Sequence, residues 1–218
     1  MSNKIITEEM LSVLRERAVE GMSDKRRIHT LAVEQMAIRL GAIYSPDKIN
    51  ILRAAALLHD VTKEIKLQGQ LELCEKYGIE VRENDKLAPK TFHAKTAEKV
   101  IEEKYSEYAN EDVLSAVRWH TTGREGMSIC EKIIYLADYI DDSRKFPDCV
   151  KLREYFWNKD ISSMSESERL DHLRDTLIIS YDMTIVNLLD ENSPVAKDTF
   201  DARNELVCER LKANNLKG

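Results

Sequence analysis

The stretch AALLHDVTKE, residues 55–64, carries a strongly apolar run directly onto an imidazole and a carboxylate, His59 and Asp60, with Lys63 and Glu64 just beyond. Two readings fit those ten residues alone. His59 and Asp60 either satisfy the end of a buried helix or hold a metal ion. The choice turns on whether other parts of the chain send similar groups to the same place.

The chain has 218 residues, 43% of them hydrophobic and 33% charged. That length suits one large helical domain, or a domain with a subdomain, and the apolar content is ample for a core. Only 7 Gly and 4 Pro occur, so helices joined by short loops are expected rather than a multi-stranded sheet. A formal net charge of −6, with no basic stripe, argues against nucleic-acid binding, whose affinity comes from neutralising many phosphates. A small polyphosphate stays compatible, because metal ions and a few Lys or Arg supply positive charge locally. The four cysteines (Cys74, Cys130, Cys149 and Cys208) form no close metal-binding spacing. The opening MSNKIITEEM has no apolar signal region, and no apolar run is long enough to span a bilayer. A cytoplasmic protein with reduced thiols, acting as a monomer or homodimer, is expected.

Apolar residues recur at helical spacing almost throughout. TEEMLSVLRERAVEGM reads as a first helix with Thr7 as N-cap. A second runs from Ser23 to Gly41, taken as the residue just past its end. SPDKINILRAAALLHD reads as a third, with Pro46 in its first turn. Further helices are expected over 68–77, 93–108, 111–120, 128–141, 166–189 and 198–213. The least periodic segments are 78–92, expected as a loop over a site, and 146–168. The whole of 1–218 is expected to form one all-α domain. Its metal-binding core covers about 22–145, and C-terminal helices over about 165–214 pack on it.

Five apolar stripes begin or end on a potential metal ligand, because residues three or four apart share a helix face. His29 shares a face with Val33, Met36 and Leu40, and His59 follows Leu52, Ala55 and Ala56. His93 leads Ala97, Val100 and Ile101; His120 follows Val113, Ala116 and Val117; Asp138 follows Ile134 and Tyr135. A lone buried histidine is most simply satisfied by a neighbouring carbonyl. Five such positions on five helices imply instead that the polar groups converge with the stripes, where they need a partner. His172, in RLDHLRD, has charged neighbours, reads as a solvated helix face and is left out. Asp60, adjacent to His59 and about 100° from it if helical, suits a carboxylate bridging two cations. His29, His59, Asp60, His93, His120 and Asp138 are too many for one tetrahedral zinc and suit two metals sharing a carboxylate. With no thiolate in the set, iron or manganese is favoured; cobalt, nickel or zinc are also able to occupy it.

An H…HD…H…H…D pattern in an all-helical chain resembles the HD-domain metal-dependent phosphohydrolases. RRIHTLAV, AALLHDVTKE, VRWHTTGREGMSICEKIIYLADYIDDSRKFP and the tail DTFDARN together resemble the YqeK-type HD proteins, the bacterial symmetrical bis(5′-nucleosyl)-tetraphosphatases. The resemblance spans nearly the whole chain. It implies an HD-type helical bundle and a di-iron site, with the six ligands above, that hydrolyses diadenosine tetraphosphate to two ADP. Asp60 would be the bridging catalytic carboxylate. Lys63, Arg26, His120, Thr121 and Arg144 fall at positions expected to meet substrate, although YIDDSR stands where the family has a Glu-Pro-Gly-Arg type of turn.

Each of these substrate positions also has a plainer reading. Lys63 is either a phosphate contact or a surface lysine paired with Glu64. One of Arg26 and Arg27 is expected to be surface charge only, and Thr121 fits a capping or loop residue equally well. Another HD nucleotidase or phosphodiesterase, or a non-catalytic nucleotide-binding regulator held by metal, remains an alternative for the whole chain. GREG, residues 123–126, matches the loop of an RNA-binding KH module, but flanking strands are not expected here. No P-loop or Rossmann glycine pattern occurs.

Overall fold

The computed structural model describes residues 4–215; it holds ten α-helices and, among the described residues, no strand. The first and last three residues of the expected domain lie outside the described residues. In chain order the helices are α1 (Glu8–Val19), α2 (Asp24–Tyr44), α3 (Ile49–Leu58), α4 (Leu67–Lys76) and α5 (Phe92–Lys104). They continue as α6 (Glu111–Trp119), α7 (Ile129–Ile140), α8 (Pro147–Trp157), α9 (Glu166–Asp190) and α10 (Lys197–Asn215). The bundle is all-α, as the sequence predicts.

Helix α3 is the axis. It packs against α1, α2, α6 and α7, and Leu52, Ala54, Ala55, Ala56, Leu57 and Leu58 are all buried. Its second half, apolar on every side from Ala54 to Leu58, belongs in the interior, while Arg53 reaches Glu8 and Glu34. Each buried leucine there contributes about 1.5–3 kcal/mol, and the alanine run lets neighbouring helices come close. The α-helix is shorter than expected, because Pro46–Lys48 forms a 3₁₀ turn before it. Gly41 does not end α2, which runs on to Tyr44. Its missing side chain serves packing instead: a Cβ at Gly41 would lie 2.7 Å from Leu52 Cδ1.

The sequence reading also missed α8. Its buried residues Cys149, Leu152 and Phe156 do sit at helical spacing, but charged neighbours between them hide the stripe, and Pro147 marks the first turn. His172 is likewise corrected. It is buried rather than solvated, with its ring stacked on Phe156 at a centroid distance of 4.9 Å and Nε2 3.1 Å from the Phe156 carbonyl oxygen. Its apolar partner comes from α8, sixteen residues back, so local charge pattern does not reveal it. Its place outside the histidine cluster stands.

The C-terminal helices brace the loop that follows α6. The Thr199 hydroxyl on α10 donates to the Thr122 carbonyl at 3.0 Å, and Glu205 accepts from the Gly126 backbone N–H at 2.7 Å. Gly123 is the close approach. It has φ +64°, and a Cβ there would overlap the Tyr181 hydroxyl and crowd Ala202. Gly21 also has positive φ but open space around it. Gly21→Ala should therefore cost about 1–2 kcal/mol of left-handed strain. Gly123→Ala adds roughly 1–3 kcal/mol of overpacking to that. Denaturant unfolding of the two variants checks this; equal losses would show that the Tyr181 contact does not constrain the loop.

Candidate metal centre

Four imidazoles and two carboxylates meet at the ends of five helices. His29 comes from the second turn of α2, His93 from the start of α5 and Asp138 from the last turn of α7. His59 and His120 occupy equivalent positions. Each is the residue immediately after its helix, with φ/ψ still helical. Their Nδ1 atoms lie 2.6 Å from the Ala56 carbonyl and 2.7 Å from the Val117 carbonyl, each three residues back. A carbonyl can only accept, so Nδ1 carries the proton in both rings. The Nε2 lone pairs are left to face the centre: a bond made by one ring nitrogen fixes the tautomer and turns the other nitrogen toward a metal. The two readings of the apolar run therefore hold together: His59 satisfies a helix end with one nitrogen and offers the other.

Asp60 stands in the middle, buried to 3% exposure. Its two oxygens face different partners. Oδ1 is 3.2 Å from His93 Nε2 and 3.8 Å from His120 Nε2. Oδ2 is 3.3 Å from His59 Nε2 and 3.6 Å from His29 Nε2, and it also receives Arg26. His29 Nε2 lies 2.9 Å from Asp138 Oδ1, and His93 and His120 meet Nε2 to Nε2 at 3.0 Å. Two groups of ligand atoms are close enough to share one ion: His29, His59 and Asp138, and His59, Asp60 and His120. All six expected ligand positions are thus brought together.

The charge states suit cation binding. Burial works against ionising Asp60 and Asp138, but the surrounding histidines, and Arg144 for Asp138, hold both carboxyls well below their usual range. Burial, and for His120 the neighbouring imidazoles, keep the His93 and His120 pKa values low and the rings neutral. The buried Nε2 atoms of His29 and His59 have no hydrogen-bond partner, although carboxylate oxygens stand at ion-pair distance. Neutral rings at His93 and His120, ionised carboxylates and inward-facing imidazole nitrogens at His29 and His59 form a donor set that suits a divalent metal.

Around this centre, Lys63 Nζ lies 3.2 Å from His93 Nε2, and burial lowers its pKa. It does not pair with Glu64, which instead accepts from the Ser23 backbone N–H and hydroxyl at the start of α2. Arg26 turns inward to Asp60, whereas Arg27 pairs with Asp24 on the surface. The Thr121 hydroxyl is 3.1 Å from His120 Nε2 and 3.3 Å from His93 Nε2. Arg144 holds Asp138 through its side chain at 2.5 Å and its backbone carbonyl at 2.6 Å.

The sequence reading missed Asp141. It is buried, with Oδ2 3.2 Å from His29 Nδ1 and Oδ1 accepting from the Ser143 backbone N–H at 2.8 Å. It stands at ion-pair distance behind His29, on the side of the ring opposite Asp138, where its charge holds the imidazole. Its spacing of three from Asp138 was the available signal. The segment 78–92 also touches the site: Lys90 lines the cleft beside the centre and pairs with Glu191 at 3.3 Å.

Two clefts open onto this constellation. One, of about 480 Å³, is lined by Lys63, Thr121, Tyr135, Tyr139, Thr184 and Asn187 among others. The second, of about 830 Å³, is lined by Lys25, Arg26, Ile28, His29, Ser143 and Lys145. They share Arg144, Phe146 and Pro147.

A family model of the HD domain matches residues 26–142, the segment that carries all six ligand positions. The symmetrical bis(5′-nucleosyl)-tetraphosphatase of Bacillus subtilis is 32% identical over 205 residues, covering 92% of this chain and 97% of the relative. That of Halalkalibacterium halodurans is 32% identical over 191 residues, covering 87% and 92%. A crystal structure described as a predicted HD superfamily hydrolase involved in NAD metabolism, from Clostridium acetobutylicum, superimposes with a TM-score of 0.78 at 29% identity. It covers 94% of this chain and 100% of its own. The chain belongs to the HD-domain family of metal-binding phosphohydrolases, alongside the symmetrical bis(5′-nucleosyl)-tetraphosphatases.

Proposed function

We propose that this protein hydrolyses diadenosine tetraphosphate symmetrically, adding water across the central P–O–P bridge to release two ADP. The observation that carries the reading is the division of Asp60, with one oxygen toward His93 and His120 and the other toward His59 and His29. One cation would take His29, His59 and Asp138, the other His93 and His120, with Asp60 shared. The all-N/O donor set favours iron, with manganese, cobalt, nickel or zinc able to replace it. Cations held there supply Lewis acidity and lower the pKa of a coordinated water toward neutrality.

The chain's own residues do the rest. A tetraphosphate brings several negative charges to a protein of net charge −6, so its landing site must be locally cationic. Lys63, Arg26 and Arg144 provide that, and a guanidinium suits the paired oxygens of a phosphate. In a half-buried site such charges stabilise developing negative charge more than they would in water. The Thr121 hydroxyl, beside both His93 and His120, orients a non-bridging phosphoryl oxygen. Asp141 keeps the His29 ring in place. Residues 1–218 would act as one HD-type domain, with 22–145 holding the centre and the C-terminal helices bracing the Thr121 loop. Three buried free cysteines and an exposed one, Cys208, fit a reducing cytoplasm. No helix of the described residues is long and apolar enough to cross a membrane.

Iron- or manganese-loaded protein incubated with diadenosine tetraphosphate should yield ADP alone, as read by anion-exchange chromatography. AMP with ATP, or no turnover, contradicts the proposal.

Metal loading should also displace a proton from His29. Burial lowers the pKa of that ring, but the carboxylates of Asp138 and Asp141 outweigh burial and raise it to about 9. The metal-free ring is then charged near neutral pH and must lose its proton to coordinate. Proton release on adding manganese, measured by titration calorimetry in buffers of different ionisation enthalpy, should be largest near pH 7 and fall as pH rises toward 9. Release that does not vary over that interval would show that His29 is neutral or not a ligand.

A further inference from the structure

The second cleft meets the chemistry above only at Arg26, His29 and Arg144; its outer part, Lys25, Ile28, Ser143, Lys145, Phe146 and Pro147, has no role there. Lys25, Arg26, Arg144 and Lys145 border it, and no acidic side chain does among the described residues. This occurs in a chain of net charge −6. Two large apolar side chains stand exposed at its mouth, Ile28 at 58% and Phe146 at 65%. Arg26 Nε is buried there without a hydrogen-bond partner. Cationic walls with an exposed aromatic face suit an anion carrying a flat ring, since base–aromatic stacking and phosphate pairing reinforce each other.

The first cleft differs in character. Its walls carry Tyr135, Tyr139, Thr184 and Asn187, with Asp148 and Glu191 among the acids. It offers hydrogen-bond donors and acceptors rather than uniform positive charge. Both volumes fall in the range of small-molecule pockets, roughly 300–1,000 Å³. The first cleft reaches the centre through Lys63, His120 and Thr121, and the second through Arg26 and His29. Of the central groups, His120 and Asp138 therefore open to the first cleft and His29 to the second, while His59 and His93 line neither. Phe146 and Pro147 form the wall between them.

We infer that the cleft between Ile28, Lys145 and Phe146 is a second nucleoside subsite, so that a dinucleoside polyphosphate lies across the centre with one nucleoside in each cleft. The inference rests on the proposed dinucleoside tetraphosphatase reading and deepens it. A substrate anchored at both ends presents the middle of its phosphate chain to Asp60, and symmetrical cleavage follows from that registration. Ile28 and Lys145 thereby set the preference for two-nucleoside over one-nucleoside substrates. The second cleft has few side-chain hydrogen-bonding groups apart from Ser143 and its cations, so it selects for a stacking ring more than for a particular base.

The test compares kcat/KM for diadenosine tetraphosphate and adenosine 5′-tetraphosphate in wild type and in an Ile28→Glu/Lys145→Glu double variant. Both positions are exposed, so the fold is not at stake. The preference for the dinucleoside should fall about tenfold or more, because two carboxylates placed beside Phe146 repel the anion that the cationic cleft would hold and juxtaposed like charges weaken binding by at least that factor, with the change in KM. An unchanged ratio, whether both substrates suffer equally or neither does, overturns the inference. In parallel, calorimetric titration of manganese-loaded protein with ADP should give two sites per chain in wild type and one in the variant. One site in wild type, or two in the variant, also overturns it. Wild-type protein that makes no ADP from diadenosine tetraphosphate would fail the parent reading. Normal cleavage with an unmoved ratio fails the subsite alone.

Discussion

Asp60 is the constraint on which the arrangement depends. A carboxylate buried that deeply loses several kcal/mol of hydration, and the protein must return that through partners or force the group to be neutral. Here the surrounding histidines and Arg26 keep it ionised. The imidazoles carry a matching cost, met by giving one nitrogen of His59 and of His120 to a helix-end carbonyl. Ligand positions at helix ends follow from this. A free carbonyl is available only where a helix stops, so the chain must stop α3 and α6 at the same point in space.

Much of this was legible in the sequence. The apolar run of α3 announces a half-helix buried on all sides, and stripes that terminate on His29, His59, His93, His120 and Asp138 announce where they converge. Period and residue type are local properties. What remained hidden depends on tertiary neighbours. The stripe of α8 is interrupted by charges at the positions between Cys149, Leu152 and Phe156. The burial of His172 is decided by Phe156 on another helix, and Gly41 looks like a helix stop until Leu52 is packed against it. Asp141 was visible as an acid three residues past Asp138, but its role needs His29 beside it. Lys63 and Glu64, adjacent in the chain, were separable only in three dimensions: one turns to His93, the other fastens the start of α2.

The C-terminal helices carry none of the six central groups, yet they act on them. Through Thr199, Glu205 and the space left by Gly123 they fix the turn after His120 and Thr121, and α9 supplies one wall of the first cleft. The likeness to the Bacillus subtilis relative extends over 92% of this chain, well beyond the ligand-bearing segment, in keeping with a site whose walls and supports come from the whole sequence. An acidic protein thus concentrates its cations at one mouth, where a polyphosphate must approach an ionised carboxylate.

The central claim is that Asp60 lies between two cations. Anomalous diffraction from crystals of manganese- or iron-loaded protein, collected at the absorption edge of the metal, tests it directly. Two peaks are predicted, one beside His29, His59 and Asp138 and the other beside His93 and His120, each in contact with a different oxygen of Asp60. A single peak, or two that do not share Asp60, would contradict the account.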